Sequence, residues 1–592
     1  MVRQDTADPD YYHRVVDCQW ACPAHTDVPE YIRLVAAERF ADAYMLNRES
    51  NVFPGVLGRV CDRPCEPACR RGRVDEKPVA ICRLKRVAAD FKGDISSRLP
   101  KIPQKKNGKR VALIGSGPAS LTCANDLMPL GYECVVFEKQ ERPGGAMHAA
   151  VPGFRLPEAV LMEEIRYITD MGLSMRYGAP VTSLKALLAE GYDAVFVGSG
   201  APQGRDLELP GRREATEHIH IGLEWLANIA FGHPAAVGER VIVVGGGNTA
   251  MDCCRMARRM GGKDVRVVAP EAFAEMLASP WERDDAIEEG IKIVNQLLPR
   301  SFVVKAGALR GIEFTPLQGC YDATRRFNPV PSGQPNLVME CDTVIIAVGQ
   351  SAAYPFIEPD AGIHFANGAP RVDPISLGCS HPKVFFGGDA AFGPKNIIWA
   401  VAHGHEAAIS IDLVLNEKDP RQRPHRLSSL KSQKMGIHEW SYKNDYADKA
   451  RVLVPHVEVA QRFAQPGKEV ELGFDLKQAL VEASRCLNCD VQTAFTAGSC
   501  IECDACVDIC PVDCLTLAPD LDTDSLKAHL VAPVINEQQI LFVSEPLDQT
   551  KRVMVKDENL CVHCGLCAER CPTGAWDMQK FTLKMPYAGG IP

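Results

Sequence analysis

The feature that most constrains this chain is a cysteine string, C-x2-C-x2-C-x3-C-P, that begins at Cys500 and again at Cys561. Where one chain holds two [4Fe–4S] clusters with such strings, the fourth cysteine of each string binds the other cluster. Paired C-x2-C also binds zinc, but the doubled string with its prolines is much more specific for clusters. The predicted ligand sets are Cys500, Cys503, Cys506 and Cys571, and Cys510, Cys561, Cys564 and Cys567.

Composition limits the class of protein. The chain has 592 residues, too many for one hydrophobic core, and a net charge of −9 without a basic run of the kind that binds nucleic acid or a membrane surface. Its N-terminal segment is polar and acidic, unlike a secretory signal, and its apolar runs have the length of strands. We therefore expect a cytoplasmic protein, not integral to a membrane, whose 24 cysteines mostly bind clusters instead of forming disulfides.

A strand, a glycine-rich turn and a helix begin at Val111, which predicts a dinucleotide-binding α/β unit. The turn, GSGPAS from Gly115, allows a pyrophosphate to approach the helix N-terminus. Glu138 ends the second strand, where a carboxylate accepts from a ribose, and a Gly-Gly pair follows as in FAD-binding flavoproteins. The segment 384–408 resembles the closing FAD motif of that class, whose aspartate binds the ribityl chain. The residues predicted to bind FAD are Gly115, Gly117, Pro118, Ala119, Glu138, Lys139, Gly145, Gly388 and Asp389.

A second unit of the same kind begins at Val241 and lies between the two FAD segments, which predicts an inserted nicotinamide-binding domain. Its second strand ends in Ala-Pro-Glu, where relatives that use NADPH often carry a basic pair for the 2′-phosphate. Glu271 would repel that phosphate and bind a free 2′-hydroxyl, which favours NADH. The alternative is that Glu271 is a surface loop residue and the phosphate site lies elsewhere. The predicted NAD-binding residues are Gly245, Gly247, Asn248, Thr249, Ala250 and Glu271.

Several stretches up to about residue 415 resemble the glutamate synthase small-subunit family, whose electron-input half is shared with dihydropyrimidine dehydrogenase. They include AVPGFRLPEAVL, VVGGGNTAMD, CDTVIIAVGQ, GGDAAFGP and the N-terminal CQWACP…GRVCDRPCEPACRRG. The resemblance implies NAD(P)H oxidation by FAD and clusters in an N-terminal helical domain. It implies a multidomain α/β fold with two Rossmann-like domains, to which this chain adds a C-terminal α+β ferredoxin domain of the bacterial type.

One part of the N-terminal motif of these relatives is missing here. Their motif begins C-x-x-C-x4-C-x3-C-P, whereas this chain begins at the third member, Cys18. The missing pair stands in a context like the EASRCLNC of residues 482–489, which suggests that it has moved to the other end. The resemblance then implies one cluster on Cys18, Cys69, Cys486 and Cys489. The alternative is a C-x-x-C that binds no metal or binds zinc.

The neighbouring cluster of the N-terminal domain is implied to use Cys22, Cys61 and Cys65. Relatives often supply the fourth ligand as Glu or Gln, and the corresponding residue here is Lys85, which is a poor ligand when charged. Cys82 lies three residues earlier on the same helical face, and we predict it as the substitute ligand. The alternative is a buried helix cysteine. Four clusters then use 16 of the 24 cysteines, and we interpret the others, including Cys253 and Cys254, as packing residues.

The predicted organisation has six ranges. They are a helical Fe–S domain at 1–105, FAD-binding segments at 106–211 and 336–415, a nicotinamide-binding domain at 212–335, a connector at 416–480 and a ferredoxin domain with two clusters at 481–592.

The expected function is electron transfer between NADH, FAD, four [4Fe–4S] clusters and a partner enzyme. Because the cofactors carry the chemistry, we predict no catalytic side chain. No second substrate domain is recognisable, so we expect a subunit of a hetero-oligomeric complex, with a 2-oxoacid:ferredoxin oxidoreductase or a sulfite-reductase type of partner by analogy. The alternatives are a glutamate synthase small subunit that uses NADPH, and a redox sensor or interaction protein. Sequence leaves open the direction of electron flow and flavin-based bifurcation.

Overall fold

The computed structural model describes residues 9–233, 236–432, 449–535 and 541–590. The chain divides into two compact units. We call Leu99–Gln422 with Pro455–Leu472 the nucleotide unit, and Met1–Arg98, Arg423–Val454 and Gly473–Pro592 the cysteine unit.

The first sheet of the nucleotide unit is parallel throughout. Its three central strands are apolar runs, two of which are followed directly by a glycine, and most of their residues are buried, as expected of a parallel sheet covered on both faces. In spatial order the strands are Val384–Phe386, Ala194–Val197, Arg110–Ile114, Glu133–Phe137 and Ser174–Arg176.

The second sheet of this unit is also parallel and has the glycine-rich turn of the nicotinamide motif at its central strand. In spatial order its strands are Ile219–Ile221, Thr343–Ile346, Arg240–Val244, Asp264–Val268 and Lys292–Val294. The predicted return to the FAD domain at residue 336 therefore precedes a strand, Thr343–Ile346, that pairs with Arg240–Val244. The place of Thr343–Ile346 in this sheet follows from tertiary strand pairing, which the order of residues along the chain does not encode.

Antiparallel strands complete this unit. A four-stranded sheet contains Leu297–Lys305, Ala308–Tyr321, Phe327–Pro331 and Leu337–Glu340. Two short pairs are Gln203–Gly204 with Gln350–Ser351 and Phe365–Ala366 with Ala369–Pro370. The α-helices are Pro118–Leu127, Ala146–Ala149, Glu158–Thr169, Leu184–Ala189, Gly222–Ala230, Asn248–Arg259, Pro280–Glu288, Asp389–Phe392, Ile397–Leu415 and Val459–Ala464.

Within the described residues, one helix, Ile397–Leu415, is long and apolar enough to cross a membrane by length and composition alone. However, 61% of its most apolar window is buried inside the protein, and the helix packs against Pro118–Leu127. Its apolar character is therefore explained by packing in the core of the nucleotide unit.

The cysteine unit combines short helices with two three-stranded antiparallel sheets. The helices are Pro9–Val15, Asp17–Ala21, Val28–Ala36, Phe40–Ser50, Pro54–Val60, Gly72–Asp75, Ile81–Asp90, Leu476–Ala483, Ala505–Asp508, Thr523–Lys527 and Leu566–Arg570. In spatial order the strands are Leu427–Ser432, Trp576–Lys584 and Val491–Phe495, and Leu515–Pro519, Arg552–Asp557 and Leu541–Val543. Leu427–Ser432, from the predicted connector, is thus an edge strand beside the last strand of the chain.

The two ends of the chain share one hydrophobic core in the cysteine unit. Tyr31 and Leu84 from the N-terminal segment belong to the same buried cluster as Phe474, Trp576 and Leu583. This cluster joins segments that are at least 390 positions apart in the sequence, the separation of Leu84 and Phe474. The predicted fold class, with two Rossmann-like domains and iron–sulfur domains at both ends, is confirmed.

Candidate functional site

The first glycine-rich turn follows the strand Arg110–Ile114 and leads into the helix Pro118–Leu127. Gly115 has φ +90°, and a Cβ at this position would lie 2.9 Å from the main-chain oxygen of Gly198. Gly145 has φ +54°, and its Cβ would lie 2.9 Å from the Cα of Gly117. Both positions therefore require glycine, and the backbone of the turn stays open to a ligand.

Glu138 is buried at the end of the second strand and is bound to this turn. Its Oε2 accepts hydrogen bonds from the main-chain N–H of Ser116 at 2.8 Å and from the Ser116 hydroxyl at 2.6 Å. The hydroxyl oxygens of Ser120 and Ser199 are buried without a hydrogen-bond partner among the described residues. These unpaired polar groups beside the turn fit a polar ligand such as the pyrophosphate of FAD.

The predicted closing FAD motif lies at the N-terminus of the short helix Asp389–Phe392. Burial raises the pKa of Asp389 to about 6. The main-chain N–H of Gly388 donates to Nδ1 of His403, 3.2 Å away, and burial lowers the pKa of His403 to about 4. His403 is therefore neutral at pH 7 and accepts this hydrogen bond. From the sequence we interpret His403 as a structural residue of the helix that follows the FAD motif, and no local pattern predicts its hydrogen bond with Gly388.

The second glycine-rich turn precedes the helix Asn248–Arg259. Gly245 has φ +141°, and a Cβ there would lie 2.2 Å from the main-chain oxygen of Ala347. The Oδ1 of Asn248 accepts a hydrogen bond from the main-chain N–H of Ser279 at 2.8 Å. The turn is thus held against a neighbouring loop and leads directly into the helix N-terminus, the kind of position at which a pyrophosphate can bind.

Glu271 lies beside this turn and is buried, not on a surface loop. Its Oε1 accepts from the Tyr321 hydroxyl at 3.3 Å. Its Oε2 has no hydrogen-bond partner among the described residues and lies 2.6 Å from the position that a Cβ on Gly246 would occupy. A buried acceptor without a donor, next to a nucleotide turn, fits a ribose hydroxyl. No local pattern predicted the contact with Tyr321.

Cys18 and Cys69 from the N-terminal segment line one cavity together with Cys486 and Cys489 from the C-terminal segment. The empty volume of this cavity is about 350 Å³. Burial raises the pKa of the Cys18 thiol, and the sulfurs of Cys69, Cys489 and Cys486 raise it further. The structure therefore brings together the four residues whose grouping the resemblance implied.

Cys22, Cys61, Cys65 and Cys82 lie close enough to the buried side chain of Lys85 for their charges to act on it. Hydrogen bonds join the Cys82 thiol to the sulfurs of both Cys61 and Cys65. Burial opposes the charged form of Lys85, but the sulfurs of Cys61, Cys82, Cys65 and Cys22 raise its pKa above the ordinary value. The four predicted ligands thus lie near one ammonium group, which offsets part of their negative charge as thiolates.

Cys500, Cys503, Cys506 and Cys571 line a second cavity, with an empty volume of about 320 Å³. Cys503 is exposed, while its three partners are partly buried. Of the four sets, this is the one that reaches the surface of the cysteine unit through an exposed cysteine.

Cys510, Cys561, Cys564 and Cys567 form the fourth group. Burial raises the pKa of Cys564 to about 11, and the sulfurs of Cys561 and Cys510 contribute to the rise. Burial also raises the pKa of Cys567, and Cys561 again contributes. Cys514 has its sulfur 3.4 Å from that of Cys510 and also hydrogen-bonds Cys561. We predicted Cys514 as packing, and its spacing of four after Cys510 is the signal that could have suggested this contact.

The remaining seven cysteines belong to the nucleotide unit and, apart from the partly buried Cys379, are buried. The Cys254 sulfur donates to the main-chain oxygen of Met251 at 3.1 Å within its own helix, and burial raises the pKa of Cys254 and of Cys253. These features fit packing residues. The seven are Cys123, Cys134, Cys253, Cys254, Cys320, Cys341 and Cys379.

Three stretches of the chain match known families. Residues 109–404 match the pyridine nucleotide-disulphide oxidoreductase family. Residues 12–96 match dihydropyrimidine dehydrogenase domain II, 4Fe-4S cluster, and residues 499–575 match the 4Fe-4S dicluster domain. The matches correspond to the nucleotide sheets and to the cysteines at each end.

Curated relatives cover most of the chain. The NADPH-Fe(3+) oxidoreductase subunit beta of Geobacter sulfurreducens is 34% identical over 517 residues, which are 81% of this chain and 77% of that protein. The NADP(+)-dependent formate dehydrogenase subunit beta of Moorella thermoacetica is 34% identical over 500 residues, 80% of this chain and 70% of that protein. The glutamate synthase [NADPH] small chain of Mycobacterium tuberculosis is 31% identical over 436 residues, 67% of this chain and 85% of that protein.

These similarities extend through the glycine-rich turns and the cysteine-bearing ends, and they confirm the resemblance on which the sequence analysis relied. The chain belongs to the pyridine nucleotide-disulphide oxidoreductase family and is an NAD(P)H oxidoreductase of the glutamate synthase small-subunit-like type, with FAD, an N-terminal iron–sulfur domain and a C-terminal 4Fe–4S ferredoxin domain.

Proposed function

We propose that this chain is the NADH-oxidising subunit of a cytoplasmic hetero-oligomeric complex, in which it exchanges electrons with a terminal oxidoreductase. The observation that carries the proposal is the cavity shared by Cys18, Cys69, Cys486 and Cys489. Two chain ends that bind one cluster would make the N-terminal cluster domain and the ferredoxin domain parts of a single electron-transfer unit.

The residues of the nucleotide unit would hold the two organic cofactors. Gly115, Gly117 and the start of the helix Pro118–Leu127 would bind the FAD pyrophosphate, with Glu138 near the ribose and Asp389 near the ribityl chain. The predicted set also includes Ala119, Lys139, Gly145 and Gly388 for FAD, and Gly245, Gly247, Asn248, Thr249 and Ala250 for the nicotinamide coenzyme. When bound, FAD takes two electrons from the nicotinamide and the clusters pass them on singly.

The coenzyme that we propose is NADH. The buried and unpaired Oε2 of Glu271 supports it, because a 2′-phosphate would meet this carboxylate, whereas a free hydroxyl would donate to it. The names of the three relatives refer to NADPH or NADP(+). A glutamate synthase small subunit that uses NADPH is therefore the second candidate.

Four [4Fe–4S] clusters are proposed on the four groups of cysteines. Thiols grouped in fours, most of them buried or partly buried, match the donor set that such a cluster requires. For Cys82, the support is its hydrogen bonds to Cys61 and Cys65.

Electrons would leave through the cluster of Cys500, Cys503, Cys506 and Cys571. Exposed Cys503 supports this exit, since transfer to a partner needs a centre near the surface. The relatives named as beta subunits or a small chain belong to complexes with other subunits. A 2-oxoacid:ferredoxin oxidoreductase or a sulfite-reductase type of enzyme is the partner class that we propose by analogy.

The test is the iron and acid-labile sulfide content per FAD of anaerobically purified protein. Four clusters predict about 16 iron atoms per chain, and a Cys486→Ser/Cys489→Ser variant should lose about four. Cys123→Ser, at a buried cysteine of the nucleotide unit, is the matched control and should lose none. About 12 iron atoms without a loss in the double variant would contradict the shared cluster.

A turnover assay separates an electron-transfer enzyme from a redox sensor. Rapid NADH-dependent reduction of an artificial one-electron acceptor by the purified chain is expected for the enzyme. A protein that holds its clusters but reduces the acceptor no faster than a Cys503→Ser variant or a flavin-free preparation would favour the sensor.

A further inference from the structure

Arg70 connects two of the proposed cluster sites in the cysteine unit. It follows Cys69, a proposed ligand of one cluster, directly in the sequence. Its Nη1 donates to the main-chain oxygen of Cys561, 2.9 Å away, and Cys561 is a proposed ligand of another cluster. The same Nη1 also donates to the main-chain oxygen of Glu558. The side chain is 2% exposed, so this contact lies in the protein interior.

The charge of Arg70 acts on both sites. Arg70 lines the cavity that Cys18, Cys69, Cys486 and Cys489 share. Its guanidinium also reaches the main chain of Cys561, a proposed ligand of the other cluster. One buried cation is therefore close to sulfurs of the Cys18 set and of the Cys561 set.

Neighbouring side chains hold both Arg70 and the loop of Glu558 and Cys561 to which it donates hydrogen bonds. Asp17, which precedes Cys18, has its Oδ2 2.8 Å from the Nε of Arg70. On the other side, the Tyr11 hydroxyl donates to Oε1 of Glu558 at 2.8 Å, and Lys556 forms a buried ion pair with Glu558 at 3.1 Å. The loop that carries Cys561 is thus fastened to the N-terminal segment by side chains that are themselves paired.

We infer that Arg70 is the positioning residue that links the cluster of Cys18, Cys69, Cys486 and Cys489 to the cluster of Cys510, Cys561, Cys564 and Cys567, and that it raises the reduction potentials of both. The inference rests on the proposed function, because it takes these two ligand sets from it. The transfer that Arg70 serves is a one-electron exchange, in which one centre is oxidised as the other is reduced and no bond or proton is transferred. A buried positive charge stabilises the more negative, reduced form of a nearby centre.

The link gives the proposed electron route an order. Tyr31 lies next to both N-terminal groups: its hydroxyl donates to the main-chain oxygen of Ile81, 3.0 Å away, which directly precedes Cys82, and Ile81 also lines the cavity of Cys18. Arg70 then leads to the Cys561 group. The helix Ala505–Asp508, which carries Cys506 of the exposed set, packs against the helix Leu566–Arg570, which carries Cys567 of that group. The route would therefore run from the Cys61 group through the Cys18 and Cys561 groups to the Cys503 group at the surface.

The experiment compares Arg70→Gln, Arg70→Lys and Asp17→Asn in the full-length protein, with iron content and EPR-monitored redox titration as the measurements. Arg70→Gln should keep its iron and lower the midpoint potentials of two of the four centres. Arg70→Lys should return both potentials towards those of the unmodified protein, because it restores the charge. Asp17→Asn should shift the potential of the Cys18 centre upwards, because it removes the anion that offsets Arg70.

Arg73→Gln is the matched control. Arg73 pairs with the same Asp17 at 3.1 Å, but its side chain is 35% exposed, so solvent screens its charge and the potentials should shift less. Unchanged potentials in an iron-replete Arg70→Gln protein, or equal shifts in Arg73→Gln, would overturn the inference. If Arg70→Gln loses iron, the test is the midpoint potential of the Cys18 centre in Asp17→Asn. The absence of an upward shift in that potential would overturn the inference. Failure of the proposed function would be distinct, since it would appear as low iron or absent NADH oxidation in the unmodified protein.

Discussion

At the residue scale, coenzyme choice depends on the buried carboxylate of Glu271. Its Oε1 is held by the Tyr321 hydroxyl, while Oε2 has no donor among the described residues. A carboxylate in this state gains a hydrogen bond from a ribose hydroxyl and repels a phosphate. The same residue would therefore strengthen the binding of NADH and weaken the binding of NADPH.

Glu271→Gln should reduce the preference for NADH over NADPH on the order of tenfold, mainly through KM, because a charge-assisted hydrogen bond and a repulsion are both lost. The measurement is kcat/KM for each coenzyme with an artificial acceptor. Glu275→Gln, at an exposed acidic residue nearby, is the control and should leave the ratio unchanged. An unchanged ratio in Glu271→Gln would place discrimination elsewhere.

His403 should make the nucleotide unit sensitive to acid. Its pKa is lowered by burial from 6.5 to about 4, so between these values the unfolded chain binds a proton that the folded unit does not. The free energy of unfolding therefore falls as pH falls through this window, and the protonated ring would no longer accept from Gly388.

Urea midpoints of flavin release between pH 6.5 and 4 measure this effect. The midpoint should fall less steeply with decreasing pH in His403→Asn than in the unmodified protein, because asparagine accepts a hydrogen bond without titrating. His364→Asn, at an exposed position, should keep the original slope. Identical slopes in all three proteins would show that His403 does not cause the dependence.

At the scale of elements, the FAD turn depends on the close packing of two helices. Gly404 in Ile397–Leu415 faces Pro118–Leu127, and a Cβ there would lie 2.5 Å from the main-chain oxygen of Ala119 and 2.6 Å from the Cβ of Thr122. The long apolar helix thus holds the helix whose N-terminus would bind the pyrophosphate.

Gly404→Ala should destabilise the nucleotide unit by about 1–3 kcal/mol and lower the FAD content, because neighbouring backbone would have to move. Thermal unfolding and flavin absorbance are the measurements. Gly319→Ala is the control, since a Cβ at Gly319 has no neighbour within 4 Å. Equal FAD content and stability in both variants would mean that the helices adjust without cost.

At the scale of the whole molecule, the two ends of the chain depend on each other for one core. Lys580 pairs with Glu30 at 2.6 Å, Arg33 pairs with Asp490, and the main-chain N–H of Ala80 donates to Glu482 at 2.8 Å. Because buried thiols line this core, bound clusters would add to its stability by crosslinking segments that are distant in sequence.

Removal of the clusters with a chelator and an oxidant should therefore open the cysteine unit and leave the nucleotide unit folded. Limited proteolysis followed by mass spectrometry should then yield a flavin-binding fragment that begins near residue 99, where the units divide. Untreated protein is the control and should resist cleavage. Digestion of both units at the same rate after treatment would contradict a stabilising role confined to the cysteine unit.

Much of the fold and of the candidate site was predictable from local spacing. The covalent chain itself sets the geometry of the string at Cys500 and of the turn at Gly115, so residues a few positions apart are enough to recognise them. The grouping of Cys486 and Cys489 with Cys18 was implied only through family resemblance, because no local pattern relates the two chain ends.

Sequence alone determined the classes of cofactor and the parallel α/β architecture, since both follow from short-range periodicity and spacing. Tertiary structure decided the strand order that places Thr343–Ile346 in the second sheet, the burial of Glu271 with an unpaired oxygen, and the contact from Arg70 to Cys561. Each of these joins segments far apart in the chain, and such contacts depend on how whole elements pack, which the spacing of residues along one segment does not encode.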